Sequence, residues 1–118
     1  MATTDPTLPL TGLKVIELHA IGPVPFAGQL LRRLGATVQR VSPPRDPGLG
    51  VGGKPEFDIL NTGKQPVILD LKSAAGMVSL KKLLAEADVL LEGFRPGVLE
   101  KLGLAPDGLL MQYPRLVI

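Results

Sequence analysis

Val89-Leu90-Leu91-Glu92-Gly93-Phe94-Arg95-Pro96-Gly97-Val98-Leu99-Glu100-Lys101-Leu102-Gly103 reads as a short buried strand, a tight turn and a short helix. Val89–Leu91 is an apolar run of strand type. Gly93, Pro96 and Gly97 supply turn chemistry, and Gly103 is a natural helix stop. A strand that leaves through a glycine turn into a helix is the building unit of an α/β sheet. The same stretch carries two cations, Arg95 in the turn and Lys101 one helix later. Glycines let a ligand approach the backbone, and arginine can grip a phosphate with two parallel N–H groups. The bland reading of both cations is a solvated surface. The Gly-Phe-Arg-Pro-Gly turn favours an anionic ligand above the end of a sheet.

Upstream segments repeat the pattern. Leu13–Leu18 follows Gly12 and reads as a first strand, largely buried. His19–Pro25 is its connecting loop, with Pro23 and Pro25 suited to a first helical turn. Phe26, Ala27, Leu30, Leu31 and Leu34 recur at helical spacing, with Arg32 and Arg33 toward the other face and Gly35 as C-cap. Thr37–Val41 is a second strand. Ser42–Lys54 holds Pro43, Pro44, Pro47, Gly48, Gly50, Gly52 and Gly53, and irregular loops of that length tend to be functional or mobile. Phe57–Leu60 suits one helical turn, and Asn61–Lys64 a tight turn.

Pro66–Leu71 is the third strand, ended by Leu69-Asp70-Leu71-Lys72. Ser73 can cap a helix whose inner face is Met77, Leu80, Leu83, Leu84 and Ala87. A further helix fits Pro106–Gln112, and Leu116-Val117-Ile118 opens a fifth strand. This alternation predicts an α/β fold with a mostly parallel sheet and flanking helices. Met1–Leu10 is expected to be a flexible tail, with one region from Thr11 to Ile118. Ending on an uncapped apolar strand implies that more chain belongs to the sheet.

The 118 residues suffice for one domain. Hydrophobic residues make up 45%, yet aromatics only 3%, so the core must be Leu, Val, Ile and Ala. A net charge of +2 without interleaved aromatics argues against nucleic acid as partner. The absence of cysteine rules out disulfides, thiolate metal sites and cysteine nucleophiles. There is no transmembrane run, no signal peptide and no metal cluster, and the expected location is the cytoplasm.

Candidate chemistry is sparse. The loop after the first strand holds only Gly22 of a dinucleotide fingerprint, and two prolines remove amide donors. His19 is the only histidine, and a lone imidazole is more often a loop or packing residue than a catalyst. Glu17, Asp88 and Glu92 are expected to cap or to form ion pairs. Asp70, at a strand end, is the carboxylate most open to another role.

Taken in order, these segments resemble the amino-terminal part of the family III CoA-transferases, which include formyl-CoA transferase and alpha-methylacyl-CoA racemase. The resemblance runs from Pro9 to Ile118. It rests on Pro9–Leu18, on Leu34–Val38 with Pro43-Pro44, on Asn61–Lys72 with its Asn-x-x-Lys and Leu-Asp-Leu-Lys elements, and on Ala87–Gly103. It implies a Rossmann-like large domain, here incomplete, and interlocked dimers. It also implies acyl-CoA as substrate, with coenzyme A against Ala20 and Ile21, against Leu69, Asp70, Leu71 and Lys72, against Gly93, Phe94 and Arg95, and against Lys101. Lys101 stands where the family usually has arginine. Pro43 stands where it has another contacting arginine, with Arg45 close by. The Ala-Ile-Gly-Pro-x-Pro loop and the Glu-Gly-Phe-Arg-Pro-Gly turn lean toward the racemase branch.

In the transferases of this family an aspartate carries the acyl group. In the racemases a histidine and an aspartate move the proton alpha to the thioester. Both sets lie downstream of the matched region, so no catalytic residue is expected in this chain. The leading expectation is therefore an amino-terminal portion of an acyl-CoA-processing enzyme, completed by a second copy or by the missing remainder. The alternative is a stand-alone ligand-binding or interaction module that kept the sheet and lost the enzyme.

Overall fold

The computed structural model describes residues 6–45 and 58–118. The expected glycine-rich stretch beyond Arg45, and Phe57 of the expected helical turn, lie outside the described residues. Strand β1 (Lys14–Leu18) leads into helix α1 (Pro23–Arg33), and strand β2 (Thr37–Ser42) follows. A 3-10 turn (Ile59–Asn61) precedes strand β3 (Gln65–Ile68). Helix α2 (Ala74–Glu86), strand β4 (Val89–Leu91) and helices α3 (Val98–Lys101) and α4 (Pro106–Gln112) complete the chain.

The four strands form one all-parallel sheet in the order β3-β2-β1-β4. The expected α/β architecture is therefore present. Parallel strands exit at the same edge, so every loop after a strand opens there. The order reverses between β1 and β4: the chain goes from β1 outward to β2 and β3, then crosses to the other side. A crevice at such a switch point is where open α/β sheets bind ligands.

Side chains alternate across the sheet. Ile16, Leu18, Val41 and Leu90 face α2, α3 and α4, whose Leu80, Leu84, Leu99 and Leu109 complete the larger core. Val15 and Val38 point the other way and pack with Ala36, Leu31 and Leu10. As the spacing predicts, α2 buries Leu80 and Leu84, with Met77, Leu83 and Ala87 packed alongside. Ser73 caps it, accepting from the Gly76 amide at 2.9 Å. The described part of the amino-terminal segment ends fastened, with the Leu10 amide donating to Leu34 O at 2.8 Å.

Three expectations change. Strand β3 stops at Ile68 rather than Leu71, because the Asp70 carboxylate accepts the Lys72 amide at 3.0 Å and turns the chain. The fifth strand is a single parallel bridge, Val89 with Val117. Helix α1 turns Pro25, Gly28 and Gln29 inward. Its apolar positions Phe26, Leu30 and Leu34 stand 55%, 47% and 45% exposed.

Candidate functional site at the carboxyl edge of the sheet

The loops that leave β1 and β4 meet at the switch point. Position 93 has little room for a side chain: a Cβ there would lie 2.8 Å from Val24 Cγ2 and 3.5 Å from the Ala20 Cβ. The structure thus brings Ala20 and Gly93 together. Beyond Gly93 the turn is shaped locally. The Glu92 carboxylate accepts the Phe94 amide at 2.8 Å, the Val98 amide donates to Arg95 O at 3.1 Å, and Gly97 takes a left-handed φ of 89°. Ile21, Gly93 and Arg95 are exposed in these loops, and Lys101 is exposed at the end of α3.

Leu69–Lys72 leaves the same edge, but from β3. Two strand spacings separate β3 from β1, about 10 Å at ~4.8 Å each. Leu69, Leu71 and Phe94 pack their side chains against the larger core, so their outward offer is backbone. Asp70 and Lys72 are exposed. Of the ten expected residues, the structure brings Ala20 and Gly93 into direct proximity. Two depressions among the described residues involve none of the ten. One, of about 220 Å³, is lined by Arg40, Asp58, Asn61, Thr62, Lys64 and Pro66. The other, of about 290 Å³, opens near the amino ends of the strands beside Lys14, Thr37 and Gln65.

The expected fates of the carboxylates hold. Asp88 accepts the Lys14 amide at 2.9 Å and lies 3.7 Å from Arg115. Glu92 caps its turn, and Glu17 forms an ion pair. That pair is more elaborate than sequence reasoning foresaw. Glu17 sits in β1 with a fully buried side chain, and Lys64 Nζ lies 2.9 Å from Oε1 and 3.0 Å from Oε2. The same ammonium donates to Pro25 O at 2.9 Å and to Asn61 Oδ1 at 3.1 Å. Arg40 Nε is 3.9 Å from Glu17 Oε2. Gly28 of α1 closes over the carboxylate, and a Cβ there would collide with it.

Burial moves both groups toward their neutral forms. It raises the Glu17 carboxyl above its ordinary 4.5, against the opposing hydrogen bond and charge of Lys64 and the charge of Arg40. It lowers the Lys64 ammonium below 10.5, against the hydrogen bond and charge of Glu17. The one available signal was Glu17 itself: a carboxylate inside an apolar strand demands a cation. Nothing local says which of the 13 lysines and arginines supplies it. Among the described residues no cluster of three or more His, Asp and Glu side chains could hold a metal.

An all-parallel sheet flanked by helices, with the β1 and β4 loops meeting at its switch point, defines an α/β protein. The chain matches the sequence model of CoA-transferase family III over residues 10–118, and it belongs to that family. It is 44% identical over 108 residues to alpha-methylacyl-CoA racemase of Mus musculus, covering 92% of this chain and 26% of the racemase. It is 37% identical over 126 residues to the probable fatty acyl-CoA transferase Rv3272 of Mycobacterium tuberculosis, covering 99% of this chain and 32% of that protein. A crystal structure of Rv3272 superposes with a TM-score of 0.82 at 37% identity, covering 96% of this chain and 34% of that one. A CAIB/BAIF family protein from Brucella suis gives 0.80 at 36%, covering 93% and 32%. The chain thus spans about a quarter to a third of the length of these relatives.

Proposed function

We propose that this chain is the coenzyme A-binding amino-terminal portion of an acyl-CoA racemase or CoA-transferase, with no catalytic residue of its own. The observation that carries the reading is topological. The stretches singled out after β1, β3 and β4 leave one edge of one parallel sheet, with Lys101 one short helix beyond, and Ala20 abuts Gly93 at the switch point. An extended anionic ligand laid along that edge would reach Leu69–Lys72 at one side and Gly93–Arg95 with Lys101 at the other. The thioester end would lie over residues this chain does not contain. The 44% identity to a racemase supports the racemase branch.

The partner is a second copy or the remainder of the enzyme. Exposed apolar side chains support this: Phe26 and Leu30 on α1 with Leu34 at its end, Leu110 and Met111 on α4, and Val117 and Ile118 at the end of the chain. The cytoplasm is the proposed location, with acyl-CoA as the substrate of the completed protein. The stand-alone module remains a second reading, favoured by the continuous core that links the sheet to α2, α3 and α4. A monomer that unfolds cooperatively would support it, and an obligate dimer or aggregate the first.

Calorimetric titration with coenzyme A tests the site. Arg95→Ala and Lys101→Ala should each weaken binding, Arg95→Ala more, because the guanidinium can form a bidentate contact. Unchanged affinity in both variants returns the two cations to the solvated surface. Racemisation or acyl transfer by the chain unaided would overturn the non-catalytic reading.

A further inference from the structure

The loop that leaves β1 is bracketed by two cations that converge on one buried carboxylate. On its first side, Arg40 Nη2 lies 2.7 Å from His19 Nδ1. A guanidinium only donates, so Nδ1 accepts and the ring is held in one tautomer. On its far side, Lys64 Nζ donates to Pro25 O in the first turn of α1. That helix start has no side-chain cap of its own, so the Lys64 bond ties it from outside. Both cations approach Glu17: Lys64 at 2.9 Å and Arg40 at 3.9 Å. Asn61 Oδ1 takes a further Lys64 proton, and Arg40 Nη1 reaches Ser42 Oγ at 3.3 Å.

We propose that Glu17, Lys64 and Arg40 are positioning residues that hold the loop Ala20–Gly22 for coenzyme A. The ligand half of this inference rests on the function proposed above, whereas the mechanical half does not. The buried pair lies beneath α1, against Pro25 and Gly28, and so acts on the loop through Pro25 and, by way of Arg40, through His19. Fixing the loop in the free chain removes ordering that binding would otherwise have to supply. Gly28 fits the arrangement, because any side chain there would displace the carboxylate on which both cations converge.

Hydrogen exchange in the ligand-free chain tests the mechanical half. The His19 and Phe26 amides flank the loop, donating to Val41 O at 2.8 Å and to Gly22 O at 3.3 Å. The double variant Glu17→Gln/Lys64→Met keeps side-chain volume and removes the charges. It should speed exchange at both amides by about tenfold, as local opening does, with the β2 amides unchanged. Arg40→Met should speed His19 alone. Equal rates in wild type and both variants overturn the proposal, and so does equal acceleration throughout β1 and β2, which would mark general loosening. If the double variant fails to fold, Arg40→Met decides alone by the presence or absence of the His19 effect. Coenzyme A affinity should fall about tenfold in the double variant at an unfolding midpoint no lower than that of wild type. Exchange effects in a chain that binds no coenzyme A would uphold the positioning and overturn the ligand reading.

Discussion

The rim at the switch point and the charged knot beneath α1 are neighbours built on opposite principles. The rim is local and open. Its shape comes from residues a few positions apart, such as Glu92 accepting from the Phe94 amide, and Arg95 and Ile21 stand out into solvent. The knot is long-range and closed. Its central bond joins residues 47 positions apart, and neither side chain meets water. A surface that is to meet a ligand can be assembled from turn chemistry. A device that holds such a surface in place needs ties from separate elements, here β1, α1, β2 and the 3-10 turn.

The largest expected effect separates these regions by stability. Lys64→Met alone leaves a buried carboxylate without its main partner. It should cost about 3–5 kcal/mol, the range for breaking one side of a buried pair. Arg95→Ala, on the exposed rim, should leave the unfolding midpoint where it is. Urea melts of the two variants measure the contrast, and equal destabilisation would erase it.

A smaller effect distinguishes the two close-approach glycines. Gly28→Ala drives a methyl into the Glu17 carboxylate, which is held from the other side by Lys64. Overpacking of this kind costs about 1–3 kcal/mol. Gly93→Ala meets a Val24 methyl at 2.8 Å, a milder overlap at an exposed loop position that can give by a few tenths of an ångström. Its expected cost is about 1 kcal/mol or less. If Gly93→Ala proves the more damaging, the rim is the tighter of the two regions.

The same division explains what was legible in the sequence. The β1–α1–β2 and α2–β4 units were readable because strand runs, the Ser73 cap and the glycine stops are local signals. The turn Gly93–Gly97 was readable for the same reason. Helix α1 misled, because Phe26, Leu30 and Leu34 have the spacing of a buried face. The helix instead turns Gly28 to the carboxylate and Gln29 to the 3-10 turn, where Gln29 Nε2 donates to Ile59 O and Thr62 O at 3.0 Å each. Asp70 stands exposed just past the end of β3, and its carboxylate also accepts the Lys72 amide, a local bond that the strand pattern does not announce. Lys64 was visible as a turn residue and as the lysine of the Asn-x-x-Lys element, but not as the partner of Glu17, since pairing across 47 residues leaves no periodic trace.

The smallest expected effect concerns pH and asks whether the knot stabilises the fold or only arranges it. Glu17 faces Lys64 and Arg40, and Lys64 faces Glu17, Arg40 and Asp58. The folded chain holds the Glu17 proton more tightly than the unfolded chain, because burial raises the carboxyl. The ionised carboxylate therefore works against folding, and this penalty fades as pH falls through the folded value toward 4.5. The folded chain holds the Lys64 proton less tightly, because burial lowers the ammonium. That penalty fades as pH rises through the folded value toward 10.5. Glu17→Gln/Lys64→Met removes both titrations. Its stability relative to wild type should be greatest near neutral pH and should decline toward either end, as read from urea midpoints across the range. Replacing a buried pair with neutral groups of similar volume is often neutral or stabilising. A double variant at least as stable as wild type at pH 7, but binding coenzyme A more weakly, would mark the knot as serving the rim rather than the fold. A double variant less stable by the same margin at every pH would mean that its pairing, and not its charge, holds the structure together.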